Sequence, residues 1–136
     1  MYKDSVGSGQ GWTDYQLRPN LVTRLMGPLG LATLDPEDWA YRGDYDNSDQ
    51  SGDKAVAHGA NYHQGPEWVW PVGFLMRALL SLASKVTSEE AERLRSQVRA
   101  TLARLQSHLE ASDWLGLPEL TNSRGRECRD SNPIQA

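Results

Sequence analysis

Two stretches of the sequence combine residue types that could do chemistry. NYHQGPEWVWPVG, residues 61–73, holds two tryptophans, a tyrosine, a histidine and one carboxylate, that of Glu67. GLPELTN, residues 116–122, holds a second carboxylate, Glu119, with a leucine on either side of the Pro-Glu pair. Tryptophan and tyrosine carry a polar group on an apolar ring, so they suit wet binding surfaces as well as cores. A carboxylate partly removed from water is a better proton acceptor, as a general base must be.

These residues also have structural interpretations. On composition alone, Glu119 is an ordinary solvated glutamate in a loop. Glu67 could be a negative charge near a helix N-terminus, and Trp70 could pack in a core or bind a ligand. The acidic and polar residues 44–47 suit a solvated turn better than a binding loop.

A further polar cluster lies in TDYQLRPN, residues 13–20. If this stretch is extended, alternation places Asp14, Gln16 and Arg18 on one face. Arg18 could orient a carboxylate through two hydrogen bonds, or it could belong to a structural ion pair.

Length and composition bound the class of protein. The chain has 136 residues, enough for one domain, and its net charge of −4 argues against a nucleic-acid binder. A single cysteine cannot form an internal disulfide, which fits a reducing compartment. The histidines lack ligand spacing with this cysteine and no phosphate-binding loop is present, so neither a metal nor another cofactor is expected. No apolar run reaches membrane-spanning length and no secretion signal precedes the first motif, so a cytoplasmic location is expected.

The elements that must position the two carboxylates are mostly helical. Apolar residues recur at helical spacing over 72–83, and Pro71 is tolerable only near a helix start, so a helix is predicted over about 70–84. Thr87 and Glu90 form a capping box, and the apolar stripe that follows predicts a second helix over 87–111. The short connection makes these helices an antiparallel hairpin.

The rest of the chain has weaker patterns. A short helix is predicted at 21–26, ended by Gly27 and Pro28, and one helical turn is predicted at 35–41, where Pro36 suits a first helical position. Residues 35–54 form a long acidic loop, and the segment after the hairpin is predicted to be irregular. The apolar stripes of the hairpin are wider than one hairpin can bury, which indicates packing against further helices.

Three motifs carry a resemblance to a known family. YKDSVGSGQGWTDYQLRPN, NYHQGPEWVWP and GLPELTN, in this order, closely resemble the C-terminal part of eukaryotic glycogen debranching enzymes. GPLGLATLDPEDWAYRGDYDN and the final C…PIQA resemble the same family, so the similarity covers nearly the whole chain. The resemblance implies that residues 1–136 are the C-terminal part of the family's amylo-1,6-glucosidase domain. That domain is all-α, an (α/α)6 toroid with long irregular loops.

The chain also differs from the family pattern. It begins within a motif, keeps only LVTRLM between RPN and GPLG, where the family has a helix's worth of extra sequence, and stops where the family continues. These differences predict a domain incomplete at both ends. The family's general acid is an aspartate upstream of the first residue here, so the isolated chain is expected to be inactive.

The resemblance implies a reaction and its residues. The family hydrolyses the α-1,6-linked glucose left at a glycogen branch point, after the 4-α-glucanotransferase activity of the same polypeptide has moved the outer residues. Inverting glycosidases use two carboxyl groups about 6.5–9.5 Å apart, and Glu119 matches the family's general base. Sugars present apolar faces and a rim of hydroxyls, so aromatic and polar side chains are expected to bind them: Tyr62, His63, Gln64, Glu67, Trp68, Asp14 and Arg18.

The antiparallel hairpin predicts the surroundings of this site, because it returns the loop after its second helix to the level of the loop before its first. The resemblance predicts the partners. Glu67, Trp68 and Glu119 are expected to cluster, with His63 nearby. The expected partners are glycogen or limit dextrin and the rest of the debranching polypeptide. The alternatives are a non-catalytic carbohydrate-binding fragment and another all-α glycosidase that shares the tyrosine, histidine and tryptophan pattern of residues 62–71.

Overall fold

The computed structural model describes residues 19–55 and 57–128, and their regular secondary structure is mostly helical. The helices are α1 (Pro19–Leu25), α2 (Pro71–Ala83) and α3 (Ser88–Ala111). The strands are β1 (Leu31–Ala32), β2 (Glu67–Trp68) and β3 (Leu120–Thr121), and a short 3-10 helix covers Ser123–Gly125. Within the described ranges, no helix combines the length and apolarity needed to cross a membrane.

The predicted helical hairpin is confirmed. Helix α2 starts at Pro71, directly after its N-cap residue Trp70. Helix α3 starts after Thr87, whose hydroxyl accepts a hydrogen bond from the Glu90 amide at 3.4 Å. The Glu90 carboxylate in turn accepts one from the Thr87 amide at 3.4 Å, which completes the predicted capping box. The short helix predicted at 21–26 is also present, as α1.

One hydrophobic core joins the hairpin to the first part of the described chain. Its buried residues come from α2 and α3, and they are Val72, Met76, Leu79 and Val98. Met26 and Leu31 pack against this core from the end of α1 and from β1, together with three partly buried leucines of the hairpin. The hairpin therefore anchors β1, the first strand of the sheet.

The hairpin buries only part of its apolar surface. Phe74, Leu80 and Leu102 are 66 %, 48 % and 51 % exposed, although each lies on a helix whose other face is packed. The hairpin thus leaves some of its apolar residues exposed, as the width of the apolar stripes in the sequence predicts.

A three-stranded antiparallel sheet corrects the all-α prediction. Strand β2 is central, with β1 and β3 on its two sides. Glu67 faces Ala32 and Thr121 across the sheet, while Trp68 faces Leu31 and Leu120. Each strand has only two residues, too few to show the alternating pattern by which strands are predicted. The sequence therefore predicts irregular structure for the segment after the hairpin, where β3 lies.

The helical turn predicted at 35–41 is absent, and two consecutive turns occupy this stretch. The Asp38 amide donates to the Asp35 carbonyl at 2.8 Å, and the Tyr41 amide donates to the Asp38 carbonyl at 3.0 Å. Both aspartate side chains also accept a hydrogen bond from an amide two residues further on. Aspartate makes such local bonds in competition with a helix, and here they prevail.

A second core holds the long acidic loop against β3. Tyr45, Leu120 and Cys128 form its buried part, and Tyr62 and Trp68 pack against them. The loop backbone is fixed by two further bonds: the Tyr45 amide donates to Asn122 Oδ1 at 2.8 Å, and Asn61 Nδ2 donates to the Asp44 carbonyl at 2.6 Å. This second core carries the candidate site.

Candidate active site

The pairing of β2 with β3 determines where Glu119 lies. Leu120 is fully buried and pairs with Trp68, so the residue before it is held at the end of the sheet. The Val69 amide donates to the Glu119 carbonyl at 3.1 Å, which extends the pairing by one bond. Backbone contacts on both sides therefore fix Glu119, although it belongs to a loop in the sequence.

The Glu119 carboxylate is buried, with 9 % of the residue exposed, and one of its oxygens has a partner. The Tyr62 hydroxyl donates a hydrogen bond to Oε2. Oε1 accepts no hydrogen bond from residues 19–55 or 57–128. Burial, followed by this bond to the carboxylate, raises the pKa of Tyr62, so the phenol stays a proton donor at neutral pH. One oxygen is thus fixed and the other is left for a ligand or water.

An aromatic cluster surrounds this carboxylate and consists of Tyr45, Tyr62, His63 and Trp68. Tyr62 meets Tyr45 and Trp68 edge to face, each with ring centroids 4.9 Å apart. His63 stacks on Trp68 with centroids 4.9 Å apart and planes 25° apart, and the Trp68 indole donates to the Tyr62 carbonyl at 3.0 Å. His63 is exposed and Trp68 is half-buried, so the cluster reaches the surface.

Tyr45 is a member that sequence reasoning missed. The pattern of residues 44–47 indicated a solvated turn, yet Tyr45 is 3 % exposed and its hydroxyl donates to Asn47 Oδ1 at 2.7 Å. The signal available was an aromatic residue inside an otherwise polar and acidic run. Asp44 does face solvent, where it forms an ion pair with Arg126.

The structure brings together four of the predicted site residues: Tyr62, His63, Trp68 and Glu119. Gln64 is exposed, and its carbonyl accepts a hydrogen bond from the Arg42 amide at 2.6 Å. Asp14 and Arg18 lie outside the described residues. Sugar contact by any of these side chains stays a prediction.

Glu67 does not share the partners of Glu119. It is 5 % exposed, and Oε1 accepts from the Arg124 amide at 2.7 Å. Oε2 accepts from the Gly125 amide at 3.1 Å and from the Thr121 hydroxyl at 3.2 Å. Burial raises the pKa of this carboxyl, and these three bonds oppose the shift. Successive residues of a strand point to opposite faces, which explains why Glu67 and Trp68 have different surroundings.

Trp70, for which the sequence left core packing and ligand binding open, is exposed. Its ring meets Phe74 edge to face, with centroids 5.9 Å apart. Both rings are exposed, and neither belongs to the aromatic cluster.

Comparisons with known proteins agree with the family indicated by the motifs. Residues 21–136 match the family described as amylo-alpha-1,6-glucosidase, and the chain belongs to this family. It is also 37 % identical, over 167 residues, to the glycogen debranching enzyme of Saccharomyces cerevisiae. That match covers 100 % of this chain and 11 % of the length of the yeast enzyme.

Proposed function

We propose that this chain supplies the general base, Glu119, for hydrolysis of the α-1,6-linked glucose at glycogen branch points. The observation that carries the proposal is the bonding of the Glu119 carboxylate. Tyr62 holds one of its oxygens and no described residue occupies the other. A base that activates water needs one oxygen directed at that water while the rest of the side chain is held still.

The proposed step is an inverting displacement. Glu119 Oε1 takes a proton from a water molecule while the water oxygen attacks the anomeric carbon, opposite the leaving group. The bond to the leaving oxygen breaks, and an acid gives that oxygen a proton, so the products are β-glucose and the unbranched chain. Both oxygens of Glu67 already accept hydrogen bonds, so we assign the acid to a residue outside the described part of the chain.

The aromatic cluster supports a sugar as the ligand. Glucose presents apolar C–H faces, which pack on flat rings, and hydroxyls, which bond to groups at the ring edges. His63 and Trp68 offer stacked rings that reach the surface, beside a carboxylate and the exposed amide of Gln64. We therefore take glycogen, or its limit dextrin, as the substrate.

The exposed face of the hairpin supports the toroid. In an (α/α)6 toroid each hairpin packs against neighbouring hairpins, so both of its faces are apolar. Phe74, Leu80 and Leu102 are apolar side chains that this hairpin leaves exposed. We propose that other helices of a debranching polypeptide cover them. We also propose that this protein acts in the cytoplasm, a reducing compartment that fits a chain with one cysteine.

The test uses the yeast relative, since it contains a complete debranching polypeptide. The residue that aligns with Glu119 is changed to glutamine, which keeps the shape of a glutamate side chain and removes the base. Glucose release from a phosphorylase limit dextrin should be lost, while binding of the dextrin is retained. The matched control changes the residue aligned with Glu89, an exposed glutamate of the first turn of α3, to glutamine. Glucose release that survives the first change would refute the assignment.

Carbohydrate binding without hydrolysis is the second candidate. It is favoured by the bonding of Glu67, which leaves Glu119 without a described carboxyl partner. Titrating the 136-residue chain with limit dextrin, while recording tryptophan fluorescence and glucose, separates the two candidates. The binding candidate requires full activity in the yeast variant and a fluorescence change without glucose release in this chain.

A further inference from the structure

Glu67 is a buried carboxylate that the proposed reaction does not use. All three of its hydrogen bonds come from one short segment, residues 121–125, that follows Glu119 in the chain. Burying a carboxylate is unfavourable unless donors replace water. The three donors around Glu67 offset this cost.

The segment is shaped for this carboxylate. Arg124 and Gly125 have φ angles of 63° and 68°, in the left-handed region, and their successive amides both point at Glu67. Consecutive amides in this kind of turn form a concave site for an anion. Residues other than glycine are disfavoured in the left-handed region, so the bonds to Glu67 offset the cost of the backbone conformation at Arg124.

The backbone of Gly27, in the turn after α1, also lies close to the Glu67 carboxylate. A side-chain carbon placed on Gly27 would lie 1.8 Å from Oε2 of Glu67, far inside contact distance. Glu67 thus fills the space between the turn after α1 and the segment after β3.

The sheet connects this arrangement to Glu119. Glu67 pairs with Thr121 in the register of β2 and β3, and Glu119 lies two residues before Thr121. On its other side, the Glu119 carbonyl is bonded to the Val69 amide. The backbone that carries Glu119 is therefore held by Val69, directly after β2, and by the Glu67 carboxylate, which bonds to residues from Thr121 onwards.

We propose that Glu67 is a positioning residue for Glu119. The Glu67 carboxylate holds residues 121–125 on β2 and in this way fixes the Glu119 carboxylate, which Tyr62 contacts. The catalytic consequence rests on the proposed function, whereas the structural claim does not. Removing the charge at Glu67 should change the position of the Glu119 carboxylate, although the two side chains share no hydrogen-bond partner.

The test is NMR spectroscopy of the 136-residue chain with Glu67→Gln, which keeps the shape of the side chain. We expect amide hydrogen exchange of Arg124 and Gly125 to become about tenfold faster or more, because a charged acceptor is lost. We also expect the carboxyl carbon signal of Glu119 and the ring signals of Tyr62 to shift. Glu127→Gln removes the same charge from an exposed side chain nearby and should leave these signals in place.

A second variant keeps the test decisive if Glu67→Gln does not fold. Thr121→Val removes one of the three donors at nearly constant volume, so the same signals should shift in the same direction by a smaller amount. Unchanged Glu119 and Tyr62 signals in whichever variant folds would overturn the proposal.

A kinetic arm on the yeast relative separates positioning from the proposed function. With the residue aligned with Glu67 changed to glutamine, kcat for limit dextrin should fall about tenfold while KM changes little. Shifted Glu119 signals with an unchanged kcat would leave positioning standing and would contradict the role of Glu119 as base.

Discussion

Two glutamates of one small sheet, Glu67 on β2 and Glu119 directly before β3, have opposite surroundings. Glu119 meets one donor, the Tyr62 hydroxyl, and keeps an oxygen free of described partners. Glu67 meets three donors, and both of its oxygens are used. Because both side chains are buried, burial does not distinguish the proposed base from the proposed positioning residue. The number of oxygens left without a donor among the described residues does.

The donors differ in kind as well as in number. The phenol of Tyr62 belongs to a packed aromatic cluster, so it can orient Glu119 without filling its second oxygen. The amides that meet Glu67 belong to a turn in which Arg124 and Gly125 have positive φ angles. The first arrangement suits proton transfer at a fixed place, and the second suits holding a loop.

The largest expected effect separates the two carboxylates in catalysis. In the yeast relative, glutamine at the position aligned with Glu119 should lower kcat by about 10²–10⁴-fold, the usual contribution of a general base. Glutamine at the position aligned with Glu67 should lower it far less. Initial rates of glucose release from limit dextrin measure both. Equal losses would show that the two carboxylates act in the same step.

The free energy of unfolding should show the reverse order, with a larger loss for a change at Glu67 than for a change at Glu119. In the 136-residue chain, Glu67→Ala leaves the Thr121 hydroxyl and the Arg124 and Gly125 amides without their acceptor and should reduce the free energy of unfolding by about 3 kcal/mol. Glu119→Ala frees one hydroxyl that can turn to another acceptor and should cost about 1 kcal/mol. Denaturation by urea, followed by circular dichroism, gives both values. A larger loss for Glu119→Ala would contradict the comparison.

The effect of Tyr62→Phe on kcat should be smaller than that of removing the base. It keeps the ring in the aromatic cluster and removes the bond to Glu119, a charged hydrogen bond typically worth about 1.5–3 kcal/mol. We expect kcat of the yeast relative, changed to phenylalanine at the position aligned with Tyr62, to fall about tenfold or more, with KM nearly constant. A rise in KM alone would instead identify Tyr62 as a sugar contact.

The smallest effect is a pH dependence that belongs to Glu67. Burial raises the pKa of its folded carboxyl, and Arg126 is a nearby charge that opposes the shift. The folded state therefore binds this proton more tightly than the unfolded state. The resulting stability is fully present below the unfolded pKa and is lost as pH rises through the folded pKa.

Glu67→Gln should flatten that part of the pH profile, and Glu127→Gln should not. Urea unfolding of the three chains between mildly acidic and neutral pH provides the measurement. Identical profiles for the parent chain and Glu67→Gln would mean that the Glu67 carboxyl is not perturbed.

Part of this structure follows from the sequence. The hairpin was predictable because its stripes are long and its second helix opens with the Thr87 capping box. Tyr62, His63 and Trp68 could be assigned to one aromatic surface because they lie in one short segment. The family motif singled out Glu119, whereas composition alone indicated a solvated loop residue.

Other features depend on long-range contacts that no local pattern contains. The sheet joins residues far apart in the chain through two-residue strands, so the opposite faces of Glu67 and Trp68 were not predicted. In the acidic loop, the aromatic ring of Tyr45 was a sign of burial, but its partner Leu120 lies far away in the chain and no local pattern identifies it. Aspartates at 35 and 38 favoured turns over the expected helix through bonds to their own neighbours.

The most direct test of Glu119 as the base is rescue by a small anion. In the yeast relative, alanine at the aligned position removes the base and leaves a space beside the water site. Added azide needs no general base, so it should restore turnover of an α-glucosyl fluoride and form β-glucosyl azide. Glutamine at the same position keeps the space filled and should not be rescued. Failure of azide to restore turnover, or formation of the α-azide, would contradict the account.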